Sequence, residues 1–342
     1  MLTLLLATRD RAATLAGTLT ALARLERPRG GWRLVVVDNG STDRTRSVVE
    51  SFGSVLPLKY AYEPTKGKNA ALNTGLEYII GDLVAFTDDD VVPRSDWLRQ
   101  IRKMVDQQAC FSIFGGPVLP MWKSTPPSWV LEWVPLGPTY TILYPRPEGP
   151  SRAVRVFGPN MAIRASVFAE GHRFDERFGP RGKRYPMGSE TELILRLEKS
   201  GYRTWHCPRA VVYHVIRSEQ LSEPWVLSRA FRFGRGMYRL QVATSQDSAF
   251  SAQGSKKPLP RELLSRCIQL GRSRLGGNRE EVFKHQWLLR YHAGRALEAG
   301  RLMRDRMQEG FAARPGRAVP AFAPGSRRKG GSCAPDQSLK AR

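Results

Sequence analysis

The chain has 342 residues, of which 41% are hydrophobic and 25% are charged, and its formal net charge at pH 7 is +23. That apolar content suffices for one large or two modest folded domains, so we expect a soluble globular protein. The charge indicates an anionic partner, which could be a nucleotide, a lipid phosphate or a nucleic acid. We expect no nucleic-acid partner, because the basic residues are spread along the chain without zinc-finger spacing or an RNP motif.

The cysteines and the apolar segments indicate a location. Four cysteines lie far apart without a CxxC pair, which favours a reducing compartment: Cys110, Cys207, Cys267 and Cys333. The N-terminal apolar run follows no basic segment, so it predicts a first strand and not a signal peptide. No uncharged stretch reaches the roughly 20 apolar residues needed to cross a bilayer. We expect a cytoplasmic protein, with peripheral contact at the inner face of an anionic membrane as a second hypothesis.

The first 110 residues alternate strand-like and helix-like segments. Leu2–Thr8 and Leu34–Val37 are strand-like apolar runs, and a helix-like segment at Ala70–Ile80 leads to the strand-like run Leu83–Phe86. Ser95 is expected to cap the helix that follows. Strands that are apolar on both faces, with helices between them, predict an α/β fold with a doubly wound, mostly parallel sheet flanked by helices.

The later segments differ in composition. From Phe111 to Tyr144 the chain is rich in Pro and Trp, which predicts a long irregular loop at a site or an interface. Strand and helix patterns return from Val154 to Val215, and beyond Ser218 the pattern is mainly helical. From about residue 314 onward the chain lacks the apolar content to fold.

Three carboxylates stand together directly after the strand-like run that ends near Thr87: Asp88, Asp89 and Asp90. Crowded carboxylates repel one another unless a cation neutralises them. Such oxygen ligands suit Mg²⁺ or Mn²⁺, which commonly bind one or two carboxylates together with the phosphates of a nucleotide. The motif therefore predicts a metal and diphosphate site, although a solvated turn of aspartates would have the same sequence.

Polar residues also follow the first two strands. Thr8 and Arg9 end the first strand, and Asp38 ends the second at a Gly-containing turn that opens a helix. Sheets of this kind bind ligands at the carboxyl ends of their strands, so Asp38 is available to accept hydrogen bonds from a base or ribose. The alternative is a strand end followed by a helix cap at Ser41 or Thr42.

The order of these motifs resembles that of a known family. LLLATRDR, VVVDNGSTD, GKNAALNTGL and LVAFTDDD follow one another as in the donor-binding half of family 2 glycosyltransferases, where the last contains the DxD motif. Four later segments extend the resemblance to about residue 215: Phe157–Met161, Phe174–Gly179, Gly188–Leu193 and Val211–His214. The resemblance implies a GT-A fold and an inverting, metal-dependent transfer from a nucleotide-sugar, with a UDP-sugar as the leading expectation. It also implies a carbohydrate or lipid-linked acceptor, in glycan or glycolipid synthesis.

The resemblance, together with the strand ends, assigns the donor site to the following residues: Thr8, Arg9, Asp38, Lys68, Asn73 and Asp88. Asp38 would contact the base, and Asp88 the ribose side. The implied ligands of Mg²⁺ or Mn²⁺ are Asp88, Asp90 and His214. A lone histidine after an apolar strand can equally be structural.

The catalytic base is expected within Gly188–Leu193. The family pattern there is Gly-Glu-Asp-x-Glu-Leu, with the aspartate as base, and Glu190 stands at that position with a longer side chain. We predict Glu190 as the base and Glu192 as the second candidate. The alternative is that Glu190 only complements the dipole in the first turn of a helix.

The resemblance and the composition divide the chain into a donor-binding half, an acceptor-binding and catalytic half, a helical extension and a disordered basic tail: 1–110, 111–217, 218–313 and 314–342. The QxxRW signature of processive members is missing after His214, which indicates a single addition.

One rival function is a sugar nucleotidyltransferase, which would need a Gly-rich phosphate loop after the first strand. Another is a non-enzymatic basic protein bound to a membrane or nucleic acid, which leaves the acidic cluster unexplained.

Overall fold

A computed structural model describes three stretches of the chain: residues 1–182, 185–244 and 259–312. The chain forms two compact units, Met1–Gly300 and Arg301–Arg342. The sheets and all the predicted site residues belong to the first unit. The tail predicted at 314–342 lies outside the described residues, and the divisions predicted at residues 110 and 217 stay predictions.

The first 110 residues alternate strands and helices, as the sequence predicts. The strands are β1 (Leu2–Thr8), β2 (Trp32–Asp38), β3 (Leu58–Tyr62), β4 (Leu83–Thr87) and β5 (Val91–Pro93). The helices are α1 (Ala12–Leu22), α2 (Thr45–Ser51), α3 (Lys68–Leu76) and α4 (Trp97–Gln107).

The rest of the described chain adds six strands and seven helices. The strands are β6 (Ile113–Gly115), β7 (Val118–Trp122), β8 (Gly149–Ser151), β9 (Met161–Arg164), β10 (Thr204–His206) and β11 (Val212–Ile216). The helices are α5 (Ser128–Trp133), α6 (Leu136–Tyr140), α7 (Ala165–Ala169), α8 (Ser189–Lys199), α9 (Glu223–Thr244), α10 (Leu259–Leu275) and α11 (Arg279–Ala312). The last three form the predicted helical extension. None of the described helices is both long enough and apolar enough to cross a membrane.

Eight strands form one mixed sheet in the order β3-β2-β1-β4-β9-β6-β10-β8. The pairs among β1, β2, β3 and β4 are all parallel, and so is the pair of β6 with β10. Strands β9 and β8 run antiparallel to their neighbours. The predicted doubly wound, mostly parallel sheet is confirmed.

Both faces of this sheet are covered. Leu4 and Leu6 of β1 belong to one buried cluster, which includes residues of α1 and α4, whereas Leu5 belongs to a second cluster with residues of α3 and α8. Successive side chains of a strand point to opposite faces, so a strand buried on both faces is apolar throughout. This is the physical basis of the continuous apolar run that predicts β1.

A small second sheet, β5-β11-β7, carries His214 to the acidic cluster. Strand β11 pairs antiparallel with β5, so that His214 lies opposite Val91. The backbone N–H of Val215 also donates to the carbonyl of Asp90 at 2.8 Å. The strand that follows the acidic cluster is therefore joined to the strand that bears the histidine.

The prediction that Phe111 to Tyr144 forms a long irregular loop is wrong, because the segment contains regular strands and helices. The segment contains β6, β7, α5 and α6. Trp129 and Trp133 of α5 pack against Phe283 of α11, with ring centroids 5.3 and 6.1 Å apart. The two tryptophans are partly buried and pack between the sheet domain and its helical extension, and composition alone does not distinguish such a segment from a loop.

Ser95 does not cap α4, contrary to the prediction. The helix begins at Trp97, and Asp96 occupies the capping position without a side-chain hydrogen bond. Ser95 Oγ instead donates to Glu26 at 3.1 Å. The hydroxyl ties the start of α4 to the segment after α1.

The contact of α3 with β1 gives a stability test at Gly75. An added Cβ would lie 2.2 Å from Leu5 Cδ1, so Gly75→Ala should overpack the core and lower the free energy of unfolding by about 1–3 kcal/mol. Urea denaturation measures this change. Gly17→Ala in α1 is the matched control, because nothing lies within 4 Å of its Cβ position and alanine should stabilise the helix slightly. Equal losses in both variants would contradict the packing argument.

Candidate active site

A cavity of about 1060 Å³ opens at the carboxyl ends of β1 and β4. Ligands of sheets of this kind bind at this edge. Seven of the residues predicted from the sequence line the cavity: Thr8, Arg9, Lys68, Asp88, Asp90, Glu190 and His214. Strand ends from the first half of the chain thus share one cavity with the start of α8 and with β11.

Asp89, the middle residue of the acidic cluster, is buried and held by its neighbours. Its carboxylate accepts hydrogen bonds from Thr8 Oγ1 at 2.7 Å and from Arg11. Thr18 Oγ1 of α1 donates to its backbone carbonyl at 2.9 Å. Burial raises the pKa of Asp89 to about 6, although the charge of Arg11 opposes the shift. With its oxygens used internally, Asp89 fixes the turn and leaves Asp88 and Asp90 to bind other groups.

Asp90 faces His214 and Arg11. His214 Nε2 lies 3.4 Å from Asp90 Oδ1, and Arg11 Nη1 donates to Asp90 Oδ2 at 3.0 Å. Burial alone would raise the pKa of Asp90, but His214 and Arg11 outweigh it and hold the pKa well below its usual range. Burial alone would lower the pKa of His214, but Asp90 raises it. Asp90 is therefore ionised at neutral pH.

Lys68 joins the acidic cluster to the predicted base. Its Nζ lies 2.5 Å from Asp88 Oδ1 and 2.7 Å from Glu190 Oε1. Burial alone would raise the pKa of Glu190, but the charge of Lys68 holds it below its ordinary value. A Cβ at Gly158 would lie 2.5 Å from Glu190 Cδ, so a side chain at this position would displace the Glu190 carboxylate. Glu190 is a fixed, ionised carboxylate on the cavity wall.

The end of β2 supports the cavity from one side. Asp38 is buried and accepts hydrogen bonds from Tyr60 Oη at 3.0 Å and from the backbone N–H of Ser41 at 2.8 Å. It is not among the described residues that line the cavity, whereas its neighbour Asn39 is. Asn39 Oδ1 accepts the N–H of Gly67 at 2.8 Å, which fixes the start of α3. A contact between Asp38 and a nucleotide base stays a prediction.

Two other predicted residues are also not among the described residues that line the cavity. Asn73 exchanges hydrogen bonds with the backbone of Phe174, at 3.0 and 2.9 Å, and so holds the segment after α7. Glu192 is bound by Arg196 on the same helix, at 2.9 Å. In α8, Glu190 is the carboxylate that lines the cavity. The predicted roles of Asn73 at the donor and of Glu192 as the second candidate base stay untested.

Helix α9 contributes cationic side chains to the same cavity. Arg229 Nη1 donates to Tyr185 Oη at 3.2 Å, and the Arg232 guanidinium lies 5.3 Å from the centroid of the Tyr185 ring. Burial lowers the pKa of Arg232. Neither arginine is ion-paired with a carboxylate of the described residues. The lining therefore offers positive charge to an anionic group.

Sequence reasoning missed Arg11, Gly158 and the arginines of α9. Arg11 could have been found, because it follows the polar residues at the carboxyl end of β1, where ligands of such sheets bind. Arg229 and Arg232 carry no comparable signal. Their helix reaches the cavity only through tertiary packing.

The chemistry of Asp88, Asp90 and His214 fits a divalent cation. His214 Nδ1 lies 2.6 Å from the carbonyl oxygen of Tyr140, which accepts its proton and leaves the Nε2 lone pair of a neutral ring towards Asp90. A cation between these two atoms would satisfy both. Among the described residues no three such side chains already form a complete ligand group. Phosphate oxygens would have to complete the coordination, as is usual for Mg²⁺.

A sequence model of the family described as glycosyl transferase family 2 matches residues 3–170. These residues form a family 2 glycosyltransferase domain. The matched span includes β1, the acidic cluster and Lys68, whereas Glu190 and His214 lie beyond it. The family resemblance seen in the sequence is confirmed for this part of the chain.

Relatives of known name agree with this family. The chain is 27% identical over 245 residues to the succinoglycan biosynthesis protein ExoM of Rhizobium meliloti, which covers 67% of this chain and 72% of that protein. It is 23% identical over 204 residues to the glucosyl-dolichyl phosphate glucuronosyltransferase of Haloferax volcanii, covering 58% of this chain and 64% of that protein. Among solved structures, the mannosyltransferase PcManGT of Pyrobaculum calidifontis aligns with a TM-score of 0.56 at 17% identity, over 86% of each chain. That likeness shows a shared fold, which is the predicted GT-A type.

The bridging position of Lys68 makes its removal informative. Lys68→Ala should lower the free energy of unfolding at pH 7 by about 2 kcal/mol or more, because Asp88 and Glu190 lose their common counter-charge. Since the pKa of Glu190 is depressed, the stabilisation is present above its ordinary value of 4.5 and is lost as the pH falls below it. The deficit measured by urea denaturation should therefore shrink at acidic pH.

Lys66→Ala is the control for this experiment, because Lys66 also lines the cavity but is exposed. Its replacement should change stability by less than about 0.5 kcal/mol at any pH. A deficit for Lys68→Ala that does not depend on pH would contradict the ion-pair assignment.

Proposed function

We propose that this protein is an inverting, non-processive glycosyltransferase that moves a sugar from a nucleoside-diphosphate sugar to an acceptor hydroxyl, in glycan or glycolipid synthesis. One observation carries the proposal: the acidic cluster and Glu190 line one cavity and share Lys68. Sugar transfer needs groups that bind the donor diphosphate next to a base for the acceptor. The family match and a relative named as a glucuronosyltransferase support the reaction class.

The donor is proposed to bind at the strand-end side of the cavity, through the predicted set Thr8, Arg9, Asp38, Lys68, Asn73 and Asp88. Thr8, Arg9 and Asp88 line the cavity directly, whereas Asn73 would act by holding the segment after α7. A UDP-sugar is the first candidate. The mannosyltransferase of similar fold was solved with GDP-Man, so a guanine nucleotide belongs in the same assay panel.

Asp88, Asp90 and His214 are proposed to hold Mg²⁺ or Mn²⁺. The structure of the mannosyltransferase of similar fold is a complex with Mn²⁺, which supports a divalent cation in the reaction. The chemistry that such an ion supplies when bound is stabilisation of the negative charge on the leaving diphosphate. Arg11 donates a hydrogen bond to Asp90 and would keep it ionised while His214 binds the ion as a neutral ring.

Glu190 is proposed as the general base. It would accept the proton of the acceptor hydroxyl while the hydroxyl oxygen attacks C1 of the sugar on the face opposite the diphosphate. One such displacement inverts the anomeric centre. Lys68 keeps Glu190 ionised at neutral pH, so that it is ready to accept the proton. Glu192 remains the second candidate, although Arg196 binds its carboxylate.

The acceptor is proposed to be a carbohydrate or a lipid-linked molecule that contacts α9. Arg229 and Arg232 line the cavity there without carboxylate partners among the described residues. A phosphate group of a lipid-linked acceptor would pair with them. This contact would also account for part of the positive charge of the chain.

We further propose a cytoplasmic enzyme that makes peripheral contact with the inner face of an anionic membrane. The net charge of +23 supports attraction to anionic lipid headgroups. The basic region 301–342 is a candidate for this contact, and from residue 313 onward it lies outside the described residues. No nucleic-acid partner is proposed.

The metal proposal predicts a loss of nucleotide binding in Asp90→Asn. The substitution keeps the shape of the side chain but removes the charge, so the Mn²⁺-dependent affinity for a nucleoside diphosphate should fall by about 100-fold or more. Isothermal titration calorimetry with and without Mn²⁺ measures this. Asp82→Asn lies just before the other end of β4 and serves as the control, with no expected change. Unchanged affinity in Asp90→Asn would overturn the metal assignment.

The base assignment predicts a separation of chemistry from binding. Glu190→Gln should keep the donor affinity nearly unchanged but lower turnover by about 100-fold or more, the usual scale for losing a positioned general base. The assay follows release of the nucleoside diphosphate from a panel of nucleotide-sugars with Mn²⁺. Glu192→Gln is the comparison and should retain most of the turnover. The reverse pattern would move the base to Glu192, and a complete lack of nucleotide-sugar turnover in the unmodified chain would reject the proposed function.

A further inference from the structure

Helix α10 presents an apolar stripe to solvent. Leu264 is 63% exposed, Ile268 49% and Leu275 91%. Their separations of four and seven residues place them within about 40° of one another around a helix that turns roughly 100° per residue. Single exposed apolar residues are common on proteins, but an aligned set on one helix face marks an interaction surface.

The opposite face of α10 packs inside the protein. Glu262, Leu270 and Ser273 are buried, and Glu262 Oε1 lies 3.4 Å from Nε2 of His292 in α11. Glu262 is two residues from Leu264, which corresponds to about 200° around the helix. The stripe therefore faces away from the neighbouring helix, and α10 needs it for no contact that holds the fold together.

Arginines flank the stripe on both sides. Arg261 and Arg272 lie about 40° and 60° from the middle of the stripe in one direction and Arg274 about 100° in the other, and all three are exposed. Glu262 is the one acidic residue in the sequence of this helix, and it is buried. The exposed surface of α10 thus combines apolar side chains with positive charge and no negative charge.

We propose that α10 docks in the plane of an anionic lipid membrane through a surface called here the α10 stripe, composed of Leu264, Ile268, Leu275 and the flanking Arg261, Arg272 and Arg274. Helices that lie in the membrane interface have this composition, with apolar residues inserted beneath the headgroups and basic residues beside the lipid phosphates. The inference names the surface for the membrane contact proposed above. It does not depend on sugar transfer.

Charge argues against the other occupants of the stripe. A second copy of the chain would bring two sets of arginines together. The segment 314–342 contains seven Lys and Arg residues and one acid, so the same repulsion opposes its binding there. A nucleic acid would satisfy the arginines but offers no apolar layer for Leu264 and Ile268. An anionic bilayer supplies both.

Vesicle sedimentation tests the proposal with the full chain. Vesicles that contain phosphatidylglycerol and phosphatidylcholine should bind the protein, and vesicles of phosphatidylcholine alone should bind much less. The Leu264→Asp/Ile268→Asp variant should lower the partition coefficient for anionic vesicles by at least about tenfold, because it removes apolar insertion and adds negative charge. Val55→Asp is the matched control, since Val55 is 62% exposed but lies between α2 and β3, and its binding should not change.

Two further variants keep the test decisive. If circular dichroism shows that the double variant is misfolded, Leu275→Asp at the exposed end of α10 replaces it. A full-length Arg327→Gln/Arg328→Gln/Lys329→Gln variant tests the basic tail. Binding that survives in the aspartate variants, or is lost only in the tail variant, would overturn the proposal. So would the absence of binding to anionic vesicles.

Cys267 allows an independent measurement of whether α10 inserts into the membrane. It is a free, exposed cysteine about 60° from Leu264 around α10. An environment-sensitive fluorophore attached there should shift to shorter wavelength when the labelled full chain meets anionic vesicles, with Cys267→Ser as the background control. No shift on bound protein would contradict docking through α10. Neither measurement uses enzymatic turnover, so a negative result here is distinct from failure of the transferase proposal.

Discussion

The site depends on one electrostatic constraint: three carboxylates directly follow a buried strand, and burial of Asp89 and Asp90 weakens the screening of their repulsion by water. Each is held by a cationic or titratable partner: Arg11 binds both Asp89 and Asp90, His214 faces Asp90, and Lys68 binds Asp88. These partners come from the segment after β1, from β11 and from α3. The charges are balanced only when all three elements are in place, so the acidic cluster links the correct assembly of both sheets to the formation of the cavity.

Buried ion pairs also fix the arrangement of the helical extension. Glu298 of α11 is fully buried and accepts hydrogen bonds from Arg235 and Arg239 of α9, both at 2.7 Å. A buried ion pair adds little net stability, but it is costly to break, so it fixes the position of α9 relative to α11. The position of α9 in turn sets that of Arg229, which lines the cavity. The extension therefore contributes to the site although it is distant in sequence.

The sequence predicts those parts of the site that follow from local rules. A strand buried on both faces must be apolar, which identifies β1 and β4, and ligands bind where such strands end, which identifies Thr8 and Asp88. The same rule covers Arg11, which sequence reasoning overlooked. Tertiary contacts have no such local signal: the composition predicts a loop around Trp129, which packs on α11, and no pattern identifies Arg229 as a residue of the site. The rest of the site could not be predicted because packing, not sequence proximity, brings it to the cavity.

Lys68 stabilises the carboxylates of the site but also lowers the basicity of Glu190. The same ammonium group neutralises Asp88 and Glu190, and it lowers the pKa of Glu190. A carboxylate with a low pKa is ionised but is a weak base. Any diphosphate that enters the cavity near Asp88 competes for Lys68, and each bond that it takes weakens the hold on Glu190. On the roles proposed above, the basicity of Glu190 would then increase only when a donor is present, and Lys68 would couple donor binding to activation of the acceptor hydroxyl.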